Sequence, residues 1–310
     1  MKQRVQGDPR RPGGLPHDLR RIAYCEKLSG IVIESLLAFL FGLLIGSFLN
    51  VCIHRWPRDL SVVRPRSRCV ECGKTIAWYD NIPVLSYLLL GGRCRNCRAR
   101  ISLRYPAVEL LTGLLFFAFA RLLGPSLAAV KMCLFSALLI GLIFSDLEQR
   151  ILPDEFTLGG AALGLIFAFV VPVPDITVRA VLSLFGADLG GRLGSVAEAA
   201  FGAALPALFL WLSGWIYEKV RHREGLGLGD VKLIAMVGSF LGLDGALLTL
   251  VLGSLSGSII GYAYIRASGK DMSTYQLPFG TFLGAAALAA AAAGPNILGW
   301  GSRRIWPPGL

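Results

Sequence analysis

The sequence predicts an all-α polytopic membrane protein of about eight transmembrane helices, interrupted once by a polar loop rich in arginine and cysteine. Three observations carry this prediction. Hydrophobic residues make up 54% of the 310 residues and charged residues only 16%, with a mean hydropathy of +0.60, which is too apolar for an ordinary soluble domain. Apolar runs approach or reach the ~20 residues needed to cross ~30 Å of hydrocarbon. Between the first two runs, residues 53–105 hold a dense set of basic side chains and two Cys-x-x-Cys pairs.

The runs place spans at 31–52, 106–123, 126–145, 156–173, 199–217, 231–243, 245–265 and 277–299. The division near Gly242-Leu-Asp-Gly245 separates two spans that otherwise read as one long broken helix, since glycine is tolerated inside membrane helices. The first run follows a charged segment containing Pro and Gly and is longer than the apolar stretch of a cleavable signal, so it reads as a permanent helix. This divides the chain into a basic tail (1–30), a first transmembrane helix (31–52), a loop domain (53–105), a membrane core (106–300) and a C-terminal tail (301–310).

A net charge of +11 invites a nucleic-acid reading, but the location of the charge excludes it. Basic residues from Arg55 to Arg104 outnumber the loop's acids Asp59, Glu71 and Asp80, and in a polytopic chain that density marks the cytoplasmic side of a lipid bilayer. Threading the spans from this anchor brings loops 146–155, 218–230 and 266–276 to the same face and both termini to the other. The basic tail runs against the rule.

Cys69-Val-Glu-Cys72 and Cys94-Arg-Asn-Cys97 have the spacing of a four-thiolate zinc site, each pair supplying two soft ligands from one tight turn. Four thiolates leave no open position, so the metal would be structural, stapling a loop with too small an apolar core to fold alone. The alternative, two disulfides, requires an oxidising compartment that the arginines argue against. Cys25, Cys52 and Cys133 read as packing residues.

Acids at a membrane border are costly and therefore point to function. Asp146 ends the third run and Asp230 opens the sixth, and both thread to the cytoplasmic face. Two neighbouring carboxyls in a low dielectric share a proton, which is the arrangement of an aspartic protease: one draws a proton from water while the other polarises the scissile carbonyl. Gly225, Gly227 and Gly229 precede Asp230 at alternate positions, leaving one edge of an extended chain bare for a substrate strand. The stretch fits neither common phosphate-loop pattern, while a capping role for Asp230 at a helix start is compatible with catalysis. Glu148 and Glu155 read as solvated charges, and Asp154, after Pro153, as a helix-start residue and site neighbour.

These residues resemble the type IV prepilin peptidase family, the bifunctional leader peptidases and N-methyltransferases, over roughly 36–290. The motifs are GSFLNVCIHRWP (46–57), the paired cysteines around YDNIPVLSYLLLGGRCRNC, ISLRYPAVELLTG (101–113), DLEQRILPDEFT (146–157), GLGLGDVKL (225–233) and LPFGTFLG (277–284). Val70 and Gly92 depart from common family choices without removing a ligand.

The resemblance implies that Asp146 and Asp230 are catalytic, at the cytoplasmic face of a bacterial inner membrane. It implies removal of the basic leader, after a glycine, from prepilins or pseudopilins of type IV pili and type II secretion. It associates the cysteine loop with methylation of the new amino terminus by S-adenosylmethionine. For that step Glu109, an acid inside the second run, is a candidate to grip the amine or the sulfonium, against packing or pairing with Arg104. Two other classes fit parts of the pattern: a GxGD-type intramembrane aspartyl protease, and a non-enzymatic transporter or assembly scaffold. Asp146 at a helix end, and for the first class the cysteine loop, argue against them.

Overall fold

The computed structural model describes residues 17–173, 177, 180–181, 183, 191–222, 225–268 and 277–297. The predicted C-terminal tail and the first sixteen residues of the N-terminal tail lie outside them. The described chain is helical: α1 (His17–Arg55), α2 (Leu85–Leu89), α3 (Arg104–Leu123), α4 (Leu127–Gln149), α5 (Asp154–Val170), α6 (Gly191–Arg221), α7 (Leu228–Ser268) and α8 (Phe279–Ile297). Five of these are long and apolar enough to cross a membrane, in α1, α3, α4, α6 and α7. Their outer faces are apolar too, as with Leu36, Leu37, Leu40, Phe41 and Leu44 of α1, as hydrocarbon surroundings require.

With apolar surface on both sides, packing depends on close approach rather than amphipathic faces. Gly42 and Gly46, four residues apart on α1, bring its backbone against α3. A Cβ on Gly42 would lie 2.8 Å from Gly113 Cα, and one on Gly46 2.6 Å from Glu109 Cα. α4 is the central helix, its residues buried almost continuously from Phe135 to Ile143, and Ser126 caps its start by accepting from the Ala129 N–H at 3.2 Å. Phe135 stacks on Phe240 of α7 at a centroid distance of 4.8 Å.

The 41-residue α7 is a hairpin of two limbs. Gly242, at φ 75°, leaves the helical region. Gly229 near its start packs on Leu152, which also packs on Gly280 at the start of α8, whereas Gly261 near its end packs on Leu277. Both ends of α7 therefore lie beside the start of α8, and the chain reverses at Gly242, where the sequence divides the two spans.

α6 begins at Gly191 rather than near 199. Hydropathy misses its first turns because they are polar, yet Ser195 and Glu198 are buried and hydrogen-bonded to backbone groups of other elements. Ser195 Oγ donates to the Ala168 carbonyl at 2.7 Å and accepts from the Val173 N–H at 2.8 Å. Glu198 Oε1 accepts from the Leu243 N–H at 3.0 Å, capping the returning limb of α7. α1 likewise extends back to His17, well ahead of its predicted start.

The end of α1, the start of α3, the end of α4 and the starts of α5, α7 and α8 meet at one end of the bundle, and the loop 56–103 sits there as well. This shared end is what positions the site.

α6 meets the first limb of α7 with no room between backbones: a Cβ on Gly238 would fall 1.9 Å from the Gly202 carbonyl oxygen. Gly238→Val is therefore expected to lower stability by about 1–3 kcal/mol or to block folding, whereas Leu255→Ala, at an exposed position, changes it little. Thermal unfolding in detergent followed by circular dichroism measures both.

Candidate functional site

Asp146 lies in the last turn of α4, where its residue is 5% exposed. The helix ends one turn later at Arg150, in the left-handed conformation (φ 55°), whose N–H returns to the Asp146 carbonyl at 2.9 Å. Ser145 closes the turn by donating to the Ile151 carbonyl at 2.9 Å. The Asp146 carboxylate points at the start of α8. There Oδ2 accepts from the Thr281 N–H at 2.6 Å and from the Thr281 hydroxyl at 2.8 Å. A carboxylate at a helix N-terminus satisfies otherwise orphaned donors and meets the positive end of the helix dipole.

Asp230 occupies the first turn of α7, half-buried, and its N–H bonds the Gly227 carbonyl at 3.1 Å. The two aspartates flank one side chain: Leu152 packs against Gly229, the residue before Asp230, and against Gly280, which borders Asp146. A Cβ on Gly280 would sit 3.2 Å from the Asp146 carboxyl carbon. Sequence reasoning missed Thr281, Gly280 and Leu152. The LPFGTFLG motif was the available signal, but only the fold shows that a threonine from the last helix reaches Asp146.

The extended glycine edge expected over 225–229 is corrected. Helix α7 starts at Leu228, so Gly229 is already helical, and it packs on Leu152. Gly225 is exposed, although a Cβ there would lie 2.4 Å from Tyr217 Cδ1. Gly227 alone faces the carboxyl, with a Cβ there 3.8 Å from Asp230 Oδ2.

The neighbouring acids are also tied. Asp154 accepts from Lys232 Nζ at 2.7 Å, joining the start of α5 to the start of α7. Glu148, expected as a solvated charge, forms an ion pair with Arg104. Gln149 Nε2 donates to the Ile53 carbonyl at 2.8 Å, and Trp56 packs edge-on against Phe156 at 4.5 Å between centroids. The end of α1 is thereby fixed to α4 and α5.

Glu109 is buried and does not pair with Arg104. Its Oε2 accepts from the Val84 N–H at 2.7 Å. It fastens the loop to the α1–α3 crossing.

Within the loop the two cysteine pairs sit on matching turns. Arg68 bridges Thr75 around the first pair and Arg93 bridges Arg100 around the second. The residue after each second cysteine, Gly73 (φ 68°) or Arg98 (φ 59°), is left-handed. Arg95 forks onto Asp80, Nε to Oδ2 at 2.8 Å and Nη2 to Oδ1 at 2.6 Å, which holds the Asp80 carboxyl below the usual carboxylate range. The four sulfurs lie within 4.8 Å of one another, and Cys69 Sγ is 3.7 Å from Cys97 Sγ. Thiolates ~2.3 Å from a tetrahedral metal stand ~3.8 Å apart, so the cluster can hold a metal ion. The N–H groups of Cys97 and Asn96 pull the Cys94 thiol down to about 6, while desolvation and the neighbouring thiols push Cys97 up to about 11. None of the four is in a disulfide; Cys52 is buried and Cys133 half-buried among packing residues, and the side chain of Cys25 lies outside the described residues.

Two family models match the chain: the Bacterial Peptidase A24 N-terminal domain over residues 40–122 and the Type IV leader peptidase family over residues 133–262. Among curated proteins the chain is similar to the prepilin leader peptidase/N-methyltransferase of Myxococcus xanthus, 42% identical over 232 residues. That match spans 75% of this chain but only 63% of the relative. It is also similar to the protein of the same name from Aeromonas hydrophila, 36% identical over 288 residues, 85% of this chain and 92% of the relative. The one from Pseudomonas putida is 35% identical over 286 residues, 84% and 91%. No solved structure matches.

The cysteine geometry generates a measurable expectation. Purified protein should carry about one metal ion per chain, and Cys72→Ser should lower that ratio and increase hydrogen exchange over residues 66–104, because three thiolates hold a metal less well than four. Elemental analysis decides; metal-free protein with Cys69 linked to Cys72 and Cys94 to Cys97 would replace this site with disulfides.

Proposed function

The chain belongs to the type IV leader peptidase family, and from that premise we propose that it cleaves the basic leader of prepilins or pseudopilins with Asp146 and Asp230, then methylates the new amino terminus. The observation carrying the reading is that Asp146 and the helix start bearing Asp230 flank the same side chain, Leu152, with Asp146 held by two donors from a third helix. The residues sit where the basic loop gathers, which supports a site at the cytoplasmic face of an inner membrane.

In this mechanism one carboxylate takes a proton from water as the water oxygen attacks the scissile carbonyl carbon. The other carboxyl, protonated, hydrogen-bonds the carbonyl oxygen and passes its proton to the nitrogen as the C–N bond breaks. Thr281 occupies Oδ2 of Asp146 and so leaves Oδ1 as the reacting oxygen. Gly227 keeps the approach to Asp230 open for the substrate backbone. The four cysteines are suited to Zn²⁺ in a closed structural site, which staples the loop and takes no part in cleavage. S-adenosylmethionine supplies the methyl group, and the loop's end of the chain receives the cleaved terminus.

The direct test incubates purified protein with leader-bearing prepilin and reads product masses with and without S-adenosylmethionine. Asp146→Asn and Asp230→Asn are each expected to slow cleavage by about 1,000-fold or more, since a pair sharing one proton fails when either member cannot ionise. Asp230→Asn should still methylate pilin supplied already cleaved. If a folded single mutant turns over normally, that residue is outside the pair.

Thr281 adds a graded prediction. Thr281→Val removes the hydroxyl donor but keeps the backbone one, so kcat should fall about tenfold, in line with losing one hydrogen bond to a charged group, while Thr281→Ser stays near wild type. Steady-state cleavage kinetics on the two variants separate loss of the hydroxyl from loss of bulk.

A further inference from the structure

Between the two cysteine pairs the loop is uncharged from Asn81 to Gly92, and α2 stands in the middle of this stretch. α2 turns Leu85, Leu88 and Leu89 outward, the last two 68% and 77% exposed, and exposed Trp78 and Tyr79 precede them. The level of α2 on the bundle is fixed by Glu109, which accepts from the Val84 N–H and lies against Gly46 of α1. Gly46 is roughly 13 Å short of the end of α1 at Arg55, at the helical rise per residue. Phe48, farther along α1 than Gly46, still presents an exposed apolar ring. The start of α2 therefore stands where the outer surface of the bundle is apolar, and Trp78 and Pro83 share a cleft with the exposed Leu44 and Phe48.

The backbone of this segment is equipped for hydrocarbon, which tolerates irregular chain only where the protein satisfies its polar groups. The Ile82 N–H donates to Ser86 Oγ at 3.1 Å, and that hydroxyl donates to the Tyr79 carbonyl at 2.9 Å. The N–H groups of Ser86, Leu88, Leu90, Gly91 and Gly92 all donate to carbonyls between Ile82 and Leu88. Charge begins just beyond. Arg93 and Arg100 stand directly opposite each other in an antiparallel bridge, and both line a cleft of about 390 Å³ with Tyr87 and Leu103. Like charges in that position repel. Among the described residues neither arginine has an ion pair, whereas the nearby Arg95 is paired with Asp80. Two facing cations call for an anion between them, and the apolar segment beside them calls for acyl chains.

We propose that α2 is an anchor in the bilayer interface, with Leu85, Leu88 and Leu89 among acyl chains and the phosphate of an anionic phospholipid between Arg93 and Arg100. Amphipathic segments of this kind sink ~5–10 Å into the boundary between headgroups and chains, the level at which Glu109 holds Val84. Trp78 and Tyr79 then take the place that aromatic residues favour at a membrane–water border. The loop is thus fixed to the bilayer as well as to the helices, and the second cysteine turn, which Arg93 and Arg100 flank, is held at the headgroups.

The test is photocrosslinking of the full-length protein in phospholipid nanodiscs. The photoreactive residue p-benzoylphenylalanine replaces Leu88, Leu89 or, as a control, Val70 of the first cysteine turn, an apolar side chain 74% exposed. Thermal unfolding and metal content check folding, and should one leucine position fail, the other carries the test. Lipid adducts, read by mass spectrometry, are expected from Leu88 and Leu89 and not from Val70. With phosphatidylglycerol and phosphatidylcholine in equal amounts, adducts to the anionic lipid should exceed the others by about fivefold or more, the factor one basic residue contributes at an anionic surface. Arg93→Gln combined with Arg100→Gln should remove that preference. Lipid adducts without a preference in the otherwise wild-type protein overturn the phosphate site between the arginines. Adducts to a second copy of the chain or to added prepilin, with none to lipid, overturn the anchor and make α2 a protein-docking surface.

Discussion

A carboxyl at the end of a membrane helix is tolerated when the protein supplies its hydrogen bonds, because hydrocarbon supplies none. For Asp146 both come from Thr281, the third residue of the last helix. Much of the bundle's arrangement serves that contact. α7 has to reverse at Gly242 for the chain to return to the correct end before α8 begins. Gly280 has to lack a side chain, since a Cβ there would press on Leu152 at 2.9 Å. Asp230 then arrives on the outgoing limb, held near α5 by the pair Lys232–Asp154.

The same rule governs several other polar groups buried in the bundle, although Asn50 Oδ1 and Arg104 Nε are buried without a partner. Glu198 and Ser195 spend their oxygens on backbone N–H and C=O groups at the far turns, and Glu109 spends its on the loop. The loop is consequently part of the membrane core's hydrogen-bond network rather than an appendage. It is fastened through Glu109 and Val84 and through Arg55 and the 61–65 carbonyls.

Composition and run length were enough to read the all-helical membrane architecture, and the division at Gly242 was visible as a Gly-Leu-Asp-Gly break in an apolar run. The cysteine set was legible from spacing alone, because two tight turns are local structure. Asp146 and Asp230 stood out because acids are scarce beside apolar runs. Less legible were groups whose meaning depends on a distant partner. Thr281 is 135 residues from Asp146, Glu148 is 44 from Arg104, and Ser195 and Glu198 fell before the span predicted from 199 because their partners lie on other elements. The glycine edge failed for a local reason: a helix start at Leu228 takes Gly229 out of extended conformation.

The boundary drawn by similarity and the boundary drawn by hydrogen bonding do not coincide. The peptidase segment recognised by its family stops at residue 262, ahead of Thr281. A gene cut there would keep both aspartates and the α7 reversal, yet Asp146 would lose the two donors that aim it. The unit that holds Asp146 in place in this chain therefore extends into the last helix, past the end of the matched segment.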